Sequence, residues 1–284
     1  MTPEEYCQDK TANSGSSFYY SFFFLNKQQR KAITALYAFC REVDDIVDSG
    51  IDENVARVKL QWWRDEISNL FNEDPHHPVT KALLPHIKSY DLAEEYFQEI
   101  IDGMQMDLEK HHYETFEELS LYCYRVASVV GLLSAEIFGY QDRATLKYAH
   151  NLGMAFQLTN IIRDVHEDAT RGRVYLPDDD IKHFKLTRDN ILKLEDNEQF
   201  RKLLDYEYQR AQGFYRKAFD FLPEKDRYSQ RCGLIMAAIY RGTLEEVKTD
   251  GFSVLKHRVV LTPLRKIWLA LSCITKELWR KLFN

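Results

Sequence analysis

Hydrophobic positions recur every three to four residues along almost the whole chain, and no stretch alternates as a half-buried strand would. The periodicity predicts helices over about 28–49, 53–72, 91–110, 116–138, 142–168, 197–221, 226–249 and 253–282. Breaks fall where turn chemistry gathers: Asn72-Glu73-Asp74-Pro75, Gly139-Tyr140, Gly172, Pro177 and Leu222-Pro223. The expected fold class is all-α. No linker rich in Pro, Gly or Ser divides the chain and no repeat of fixed period appears, so residues 1–284 are expected to form a single domain.

Two of these helices depart from the hydrophobic pattern. In residues 35–48 the side chains of Tyr37, Arg41, Asp44 and Asp48 interrupt a run rich in apolar residues, and in residues 155–168 Gln157, Asn160, Asp164 and Asp168 do the same. Their spacing puts each set on one helical face. Each set ends in Asp-x-x-x-Asp, with α-carbons about 6 Å apart along an ideal helix axis. One such acidic pair is ordinary helix surface. Here, though, the flanks are apolar nearly all round, and the companions are Tyr, Arg and amides instead of alternating Lys and Glu. A buried carboxylate needs a counter-charge, so two such pairs form a container for cations. Oxygen donors without a His/Cys cluster point to Mg²⁺, commonly held by a few carboxylates together with substrate phosphate. The doublets His76-His77 and His111-His112 lack zinc-ligand spacing and are assigned to the surface.

Composition narrows the classes further. Only 11 Gly and 7 Pro occur, which suits long helices. A net charge of −6, spread along the chain, leaves no basic footprint for nucleic acid. Five scattered cysteines without a Cys-x-x-Cys pair read as free thiols of a reducing cytoplasm. The first residues lack the pattern of a signal peptide, and no run approaches the ~18 uninterrupted apolar residues of a spanning helix. A cytoplasmic protein is expected, at most peripheral at the inner face of a membrane. Near its end, Leu264, Ile267, Trp268, Leu271, Ile274, Leu278 and Leu282 share one helical face, with Lys266, Lys276, Arg280 and Lys281 around the remainder. Such a helix either closes the bundle core, which is the commoner arrangement, or rests on a membrane surface.

The two stripes, Tyr37-Ala-Phe-Cys-Arg41-Glu-Val-Asp44-Asp45-Ile-Val-Asp48 and Gln157-Leu-Thr-Asn160-Ile-Ile-Arg163-Asp164-Val-His-Glu-Asp168, resemble the aspartate-rich signatures of the squalene/phytoene synthases, which join two isoprenyl diphosphates head to head. Ser17-Phe18, the run from Tyr122 to Gly131 and the run from Arg171 to Pro177 also stand where that family has them, so the resemblance covers nearly the whole chain. It implies a single isoprenoid-synthase-type helical bundle with a central cavity and the aspartates facing inward near its mouth. Asp44, Asp48, Asn160, Asp164 and Asp168 would hold several Mg²⁺ ions. Arg41 and Arg173 would meet diphosphate, although Arg41 also reads as a plain bridge to Asp44 and Asp45. Tyr122 would steady a carbocation or steer a proton. Ser17, Phe18, Tyr37, Gln157, Tyr175 and Tyr240 would bind, line or cover the substrate. The small residues from Ala127 to Gly131 leave room for a polyprenyl tail or serve close helix packing. Gly172, between Arg171 and Arg173, belongs to a mobile flap or to a plain basic turn. Arg258 is a further phosphate candidate, in a stretch that departs from the family pattern by an inserted residue.

Within the family, residues 13–22, 36–40 and 103–107 most resemble bacterial hopanoid-pathway enzymes that stop at presqualene diphosphate. The expected reaction joins two farnesyl diphosphates to presqualene diphosphate with release of diphosphate, and NADPH is not expected for that step. Phytoene or dehydrosqualene synthesis, a terpene cyclase or head-to-tail prenyl transferase, and a non-catalytic assembly factor of the same fold remain open. Nothing in the sequence indicates an oligomeric state.

Overall fold

The structure is a computed structural model that describes residues 1–13 and 21–283, side chains through Arg280. Among these residues there are helices and no strand, with one isolated parallel bridge between His112 and Val174. Ser17 and Phe18 lie outside the described residues. The amino-terminal half contains α1 (Pro3–Ala12), α2 (Lys27–Asp48), α3 (Glu53–Phe71), α4 (Pro78–Ile87) and α5 (Glu94–Glu109). Then come α6 (Phe116–Cys123), a wide π-type turn over Tyr124–Ser128, and α7 (Val129–Phe138). The remainder holds α8 (Ala144–Arg163), α9 (Val165–Thr170), α10 (Asp178–His183), α11 (Arg188–Leu192), α12 (Glu198–Phe221), α13 (Arg231–Thr249) and α14 (Pro263–Phe283).

Local chemistry sets the ends. The Asn26 carboxamide accepts from the Gln29 N–H at 2.9 Å to start α2, and Asn197 does the same for Phe200 at the start of α12. Pro263 stands at the first position of α14, where a missing N–H does no harm. That moves the start of the last helix from the expected 253 to 263, and Val259 and Leu261 are buried in the non-helical lead instead. Four unexpected helices also appear, the short α10 and α11 among them. α1 has no clear apolar face to betray it, and α4 carries Pro85 in its interior, which forfeits a backbone hydrogen bond.

Three apolar clusters fill the interior. Leu36, Phe39, Trp63 and Phe97 centre the first. Leu158, Phe200 and Tyr215 centre the second, where α8 lies along α12. A smaller one joins Ile235, Met236 and Ile239 of α13 to Ala270 and Ile274 of α14. By length and composition the stretch 116–138 is apolar enough to cross a membrane, yet half of its apolar window is buried in the bundle. It is wedged by glycine contacts. A β-carbon on Gly153 would come within 2.5 Å of the Ser128 α-carbon, and one on Gly131 within 2.7 Å of the Ala149 carbonyl oxygen. The small residues from Ala127 to Gly131 therefore serve close packing, and Ala127, Val130 and Gly131 line the cavity as well.

The last helix meets the bundle through a different face from the one its apolar stripe marks. Of the seven apolar residues sharing that stripe, Ile274 is buried, whereas Leu264, Trp268 and Leu271 keep 80%, 66% and 52% of their surface. The preferred expectation, a core-closing stripe, is corrected: Leu269, Ala270, Cys273 and Ile274 make the contact, and the broad apolar side faces out.

Candidate active site

The three clusters meet around a cavity of about 280 Å³. Helix α2 contributes Leu36, Tyr37, Arg41 and Asp44, α8 contributes Phe156, Gln157 and Asn160, and α13 contributes Met236 and Tyr240. Tyr122 enters from α6 and Met104 from α5. Of the expected site residues, Tyr37, Arg41, Asp44, Tyr122, Gln157, Asn160 and Tyr240 line this space. Asp48 and Asp164 stand one helical turn beyond Asp44 and Asn160, so the charged groups gather at one end of an otherwise apolar hollow.

The two acidic segments differ in shape. α2 runs unbroken through Asp44 and Asp48. The second stripe breaks at Asp164, whose backbone (φ −100°, ψ 12°) ends α8, and Asp168 lies on the separate short helix α9. The expected single helical face over Gln157, Asn160, Asp164 and Asp168 is therefore corrected to a bent one. The Asp168 N–H still donates to the Asp164 carbonyl at 3.0 Å, which keeps the two residues one turn apart.

Guanidinium groups meet most of these carboxylates. Arg41 bridges Asp44 and Asp45, each at 2.5 Å, at the charged end of the cavity. Asp48, 42% exposed at the rim, lies 3.3 Å from Arg171 and 3.9 Å from Arg173. Asp164 is held by Arg163 at 2.5 Å and by Arg258 at 2.9 Å. Asp168 has no ion pair within 4.0 Å among the described residues, and burial, with Asp164 and Asp107 nearby, pushes its carboxyl up to about 7. Asp44 rises to about 6, first from burial and then from Asp48, Asp45 and Asp107, against the pull of Arg41. Its side chain keeps 39% of its surface, but that surface faces the cavity end, where protein atoms still withhold hydration.

Sequence reasoning missed Asp107 as a site residue. It is 7% exposed at the end of α5, accepts from the Tyr175 hydroxyl at 2.6 Å, and lies 3.6 Å from Arg173. Its charge is felt at both Asp44 and Asp168, so it stands between the two acidic segments. Tyr175 was expected at the substrate surface. It is buried instead, stacked on Tyr122 at 5.4 Å, and reaches the cavity only through that ring. The Tyr122 phenol is driven well above its ordinary range by burial and by Asp107, so it stays protonated. The Lys266 ammonium is pushed down by burial and by the nearby charges of Arg163 and Arg258, both of which pair with Asp164.

The expected flap is also corrected. The 172–179 segment is pinned to residues 111–114: Val174 N–H to the His111 carbonyl at 2.9 Å, Asp178 N–H to Tyr113 at 2.9 Å and Asp179 N–H to Glu114 at 3.1 Å. Gly172, at φ 76°, makes the turn that presents Arg171 and Arg173 on either side.

Among the described residues, no three acidic, histidine or cysteine side chains stand close enough to chelate an ion as built. The donor chemistry nevertheless fits a hard divalent cation. Among the described residues the buried Asn160 Oδ1 has no hydrogen-bond partner, while its Nδ2 donates to Gln157 Oε1 at 3.3 Å, and the neighbouring donors are carboxylate oxygens.

This arrangement, a bundle with two acidic segments at one end of an apolar cavity, is an isoprenoid-synthase-type helical fold. It superposes on the crystal structure of a ligand-bound dehydrosqualene synthase with a TM-score of 0.88 and 26% identity over 96% of both chains. The squalene synthase HpnC from Alicyclobacillus acidocaldarius gives 0.78 and 26% over 88% of this chain and 94% of that one. The sequence profile of the squalene/phytoene synthases matches residues 11–265, and the chain belongs to that family. It is 33% identical to a phytoene synthase of Arthrospira platensis over 93% of this chain and 89% of that relative. To the chloroplastic phytoene synthase 1 of Arabidopsis thaliana it is 32% identical over 92% of this chain, which spans 63% of that relative. Members are prenyltransferase-type enzymes of head-to-head isoprenoid condensation.

Proposed function

We propose that this protein condenses two molecules of farnesyl diphosphate to presqualene diphosphate, releasing one diphosphate, with Mg²⁺ as its divalent ion. The observation that carries the reading is the apolar cavity with opposed acidic segments and arginines at one end only. A prenyl tail seats among Ile33, Leu36, Met104, Val126, Val130 and Leu152, and the diphosphate remains among the charges. Asp44, Asp48, Asn160, Asp164 and Asp168 are the residues that hold Mg²⁺, which when bound stabilises negative charge on the departing diphosphate. Arg171, Arg173, Arg258 and Lys266 supply further positive charge to its oxygens, the guanidiniums in bidentate fashion.

The reaction balances as follows. The C1–O bond of one substrate breaks with its electron pair leaving on diphosphate, and the C2–C3 double bond of the second substrate attacks C1. Loss of one proton closes the cyclopropane. Tyr37, Tyr122, Phe156 and Tyr240 put aromatic faces along the cavity, where they steady the cation and exclude water. Because Tyr122 stays protonated, it steers as a hydrogen-bond donor, and the released diphosphate is the base that takes the proton.

A second reading, phytoene synthesis from the twenty-carbon geranylgeranyl diphosphate, is favoured by the names of the relatives at 31–33% identity. Mass analysis of products from fifteen- and twenty-carbon diphosphates, with Mg²⁺ and with or without NADPH, separates the two. Presqualene diphosphate from the shorter substrate without NADPH is expected. Phytoene from the longer substrate alone overturns the chain-length assignment, and no product from either overturns the enzyme.

A further inference from the structure

The outward side of α14 is unlike the rest of the surface. Leu264, Trp268, Leu271 and Trp279 are 80%, 66%, 52% and 65% exposed, and their spacing sets them in one stripe with Thr275. Ile267 and Leu278, at 46% and 42%, widen it. The two indoles are about 16 Å apart along the axis, at the ends of a shallow groove that also includes Ser272 and Lys276. Among the described residues, α14 puts no acidic side chain on this side. The one acid of the helix, Glu277, is 3% exposed and turned inward onto Arg227 at 2.7 Å. Arg265, which pairs with Glu246, and Lys276 edge the stripe.

We propose that α14 docks this protein onto an anionic lipid bilayer, with Leu264, Trp268, Leu271 and Trp279 entering the interface. Tryptophan suits that depth, because its apolar body and polar N–H match the boundary between tails and headgroups. Charge selects the occupant. The chain carries a net −6, yet this side is apolar with a basic edge, which anionic headgroups complement. Two copies meeting here would bring Lys276 against Lys276, while Glu246 is already taken up by Arg265. The inner side of the same helix packs on Met236, which lines the cavity, so a docked bilayer lies one helix away from the apolar hollow. The docking rests on this side of α14 alone and is independent of the reaction proposed above.

The test is co-sedimentation of the full chain with phosphatidylcholine vesicles, with and without phosphatidylglycerol, alongside tryptophan emission. Binding to the phosphatidylglycerol vesicles with a blue shift is expected, weakening as salt is raised. Trp268→Ala with Trp279→Ala should lower the partition at least about tenfold, since each indole removes a large apolar area from water. Lys276→Glu should weaken binding only where phosphatidylglycerol is present. If the double variant fails to fold, Leu264→Ser, at the most exposed position of the stripe, gives the same readout. Absence of vesicle binding overturns the proposal, as does binding undiminished in these variants. A concentration-dependent dimer that the double variant abolishes, without vesicle binding, assigns the stripe to a second copy instead.

Discussion

The two acidic segments carry the same Asp-x-x-x-Asp spacing and fold differently. Asp44 and Asp48 ride a continuous helix whose last turn reaches the rim, where Asp48 is 42% exposed. Asp164 and Asp168 straddle a helix break and are more enclosed, with the unpartnered Asn160 oxygen one turn behind. One side presents ligands on a rigid rod; the other presents them from a bend whose direction depends on how α8 and α9 are packed. Identical spacing thus gives one site that local structure builds alone and one that tertiary packing must complete.

Exchanging one carboxylate on each side tests whether both halves carry the reaction. Asp48→Asn and Asp164→Asn should each lower diphosphate release by roughly 100-fold or more while the circular dichroism stays helical, because each removes stabilisation of leaving-group charge. Full turnover in either variant breaks the symmetry of the comparison and frees that residue from its metal role. Next comes packing. Gly153→Ala should destabilise the fold by about 1–3 kcal/mol, read by urea unfolding, since its methyl meets the Ser128 backbone. A neutral result would mean that α8 can shift without penalty and that the bent side is not held by this contact.

Asn160→Ala should weaken divalent-ion binding by about tenfold, read by calorimetric titration, with Asn160→Asp restoring or exceeding the native affinity. Unchanged affinity removes Asn160 from the ligand set. The smallest effect is one of sign. Burial raises Asp44 to about 6 and Asp168 to about 7, so between pH 4 and 7 the folded chain holds more protons there than the unfolded chain does. The contribution of these groups to stability is full below pH 4 and lost as pH rises through the raised values. The melting temperature in chelator should therefore carry a downward component from pH 5 to pH 7.5 that Asp168→Asn reduces. Added Mg²⁺ should oppose it by favouring the ionised carboxylates. An unaltered pH profile in Asp168→Asn would show that this carboxylate is hydrated after all.

Much of this molecule was legible in its sequence because its helices announce themselves by period. α2, α3, α5 and α12 lie within a few residues of their expected ends, and both aspartate pairs stand at one end of the cavity. The misses have physical causes. Asp107 sits on a helix that also carries Asp102 and Glu109, and nothing local shows that it alone is buried against Tyr175. The bend at Asp164 follows from tertiary contact, since no proline or glycine marks it. Tyr175 and the pinned 172–179 segment depend on pairing with residues some sixty positions earlier. α14 was amphipathic in sequence, but which face turned inward was a choice made by Met236, Ile235 and Ile239.

The wide turn at Tyr124–Ser128 carries a further consequence. It absorbs one residue more than a regular α-helical ladder would, and so sets the rotational phase between Tyr122 and Gly131. Excising a single residue there would restore an ordinary ladder and keep that phase, whereas inserting one more would swing the phenol about 100° around the axis, away from Asp107. This stretch should consequently take the loss of one residue far better than the gain of one, a constraint of register more than of composition.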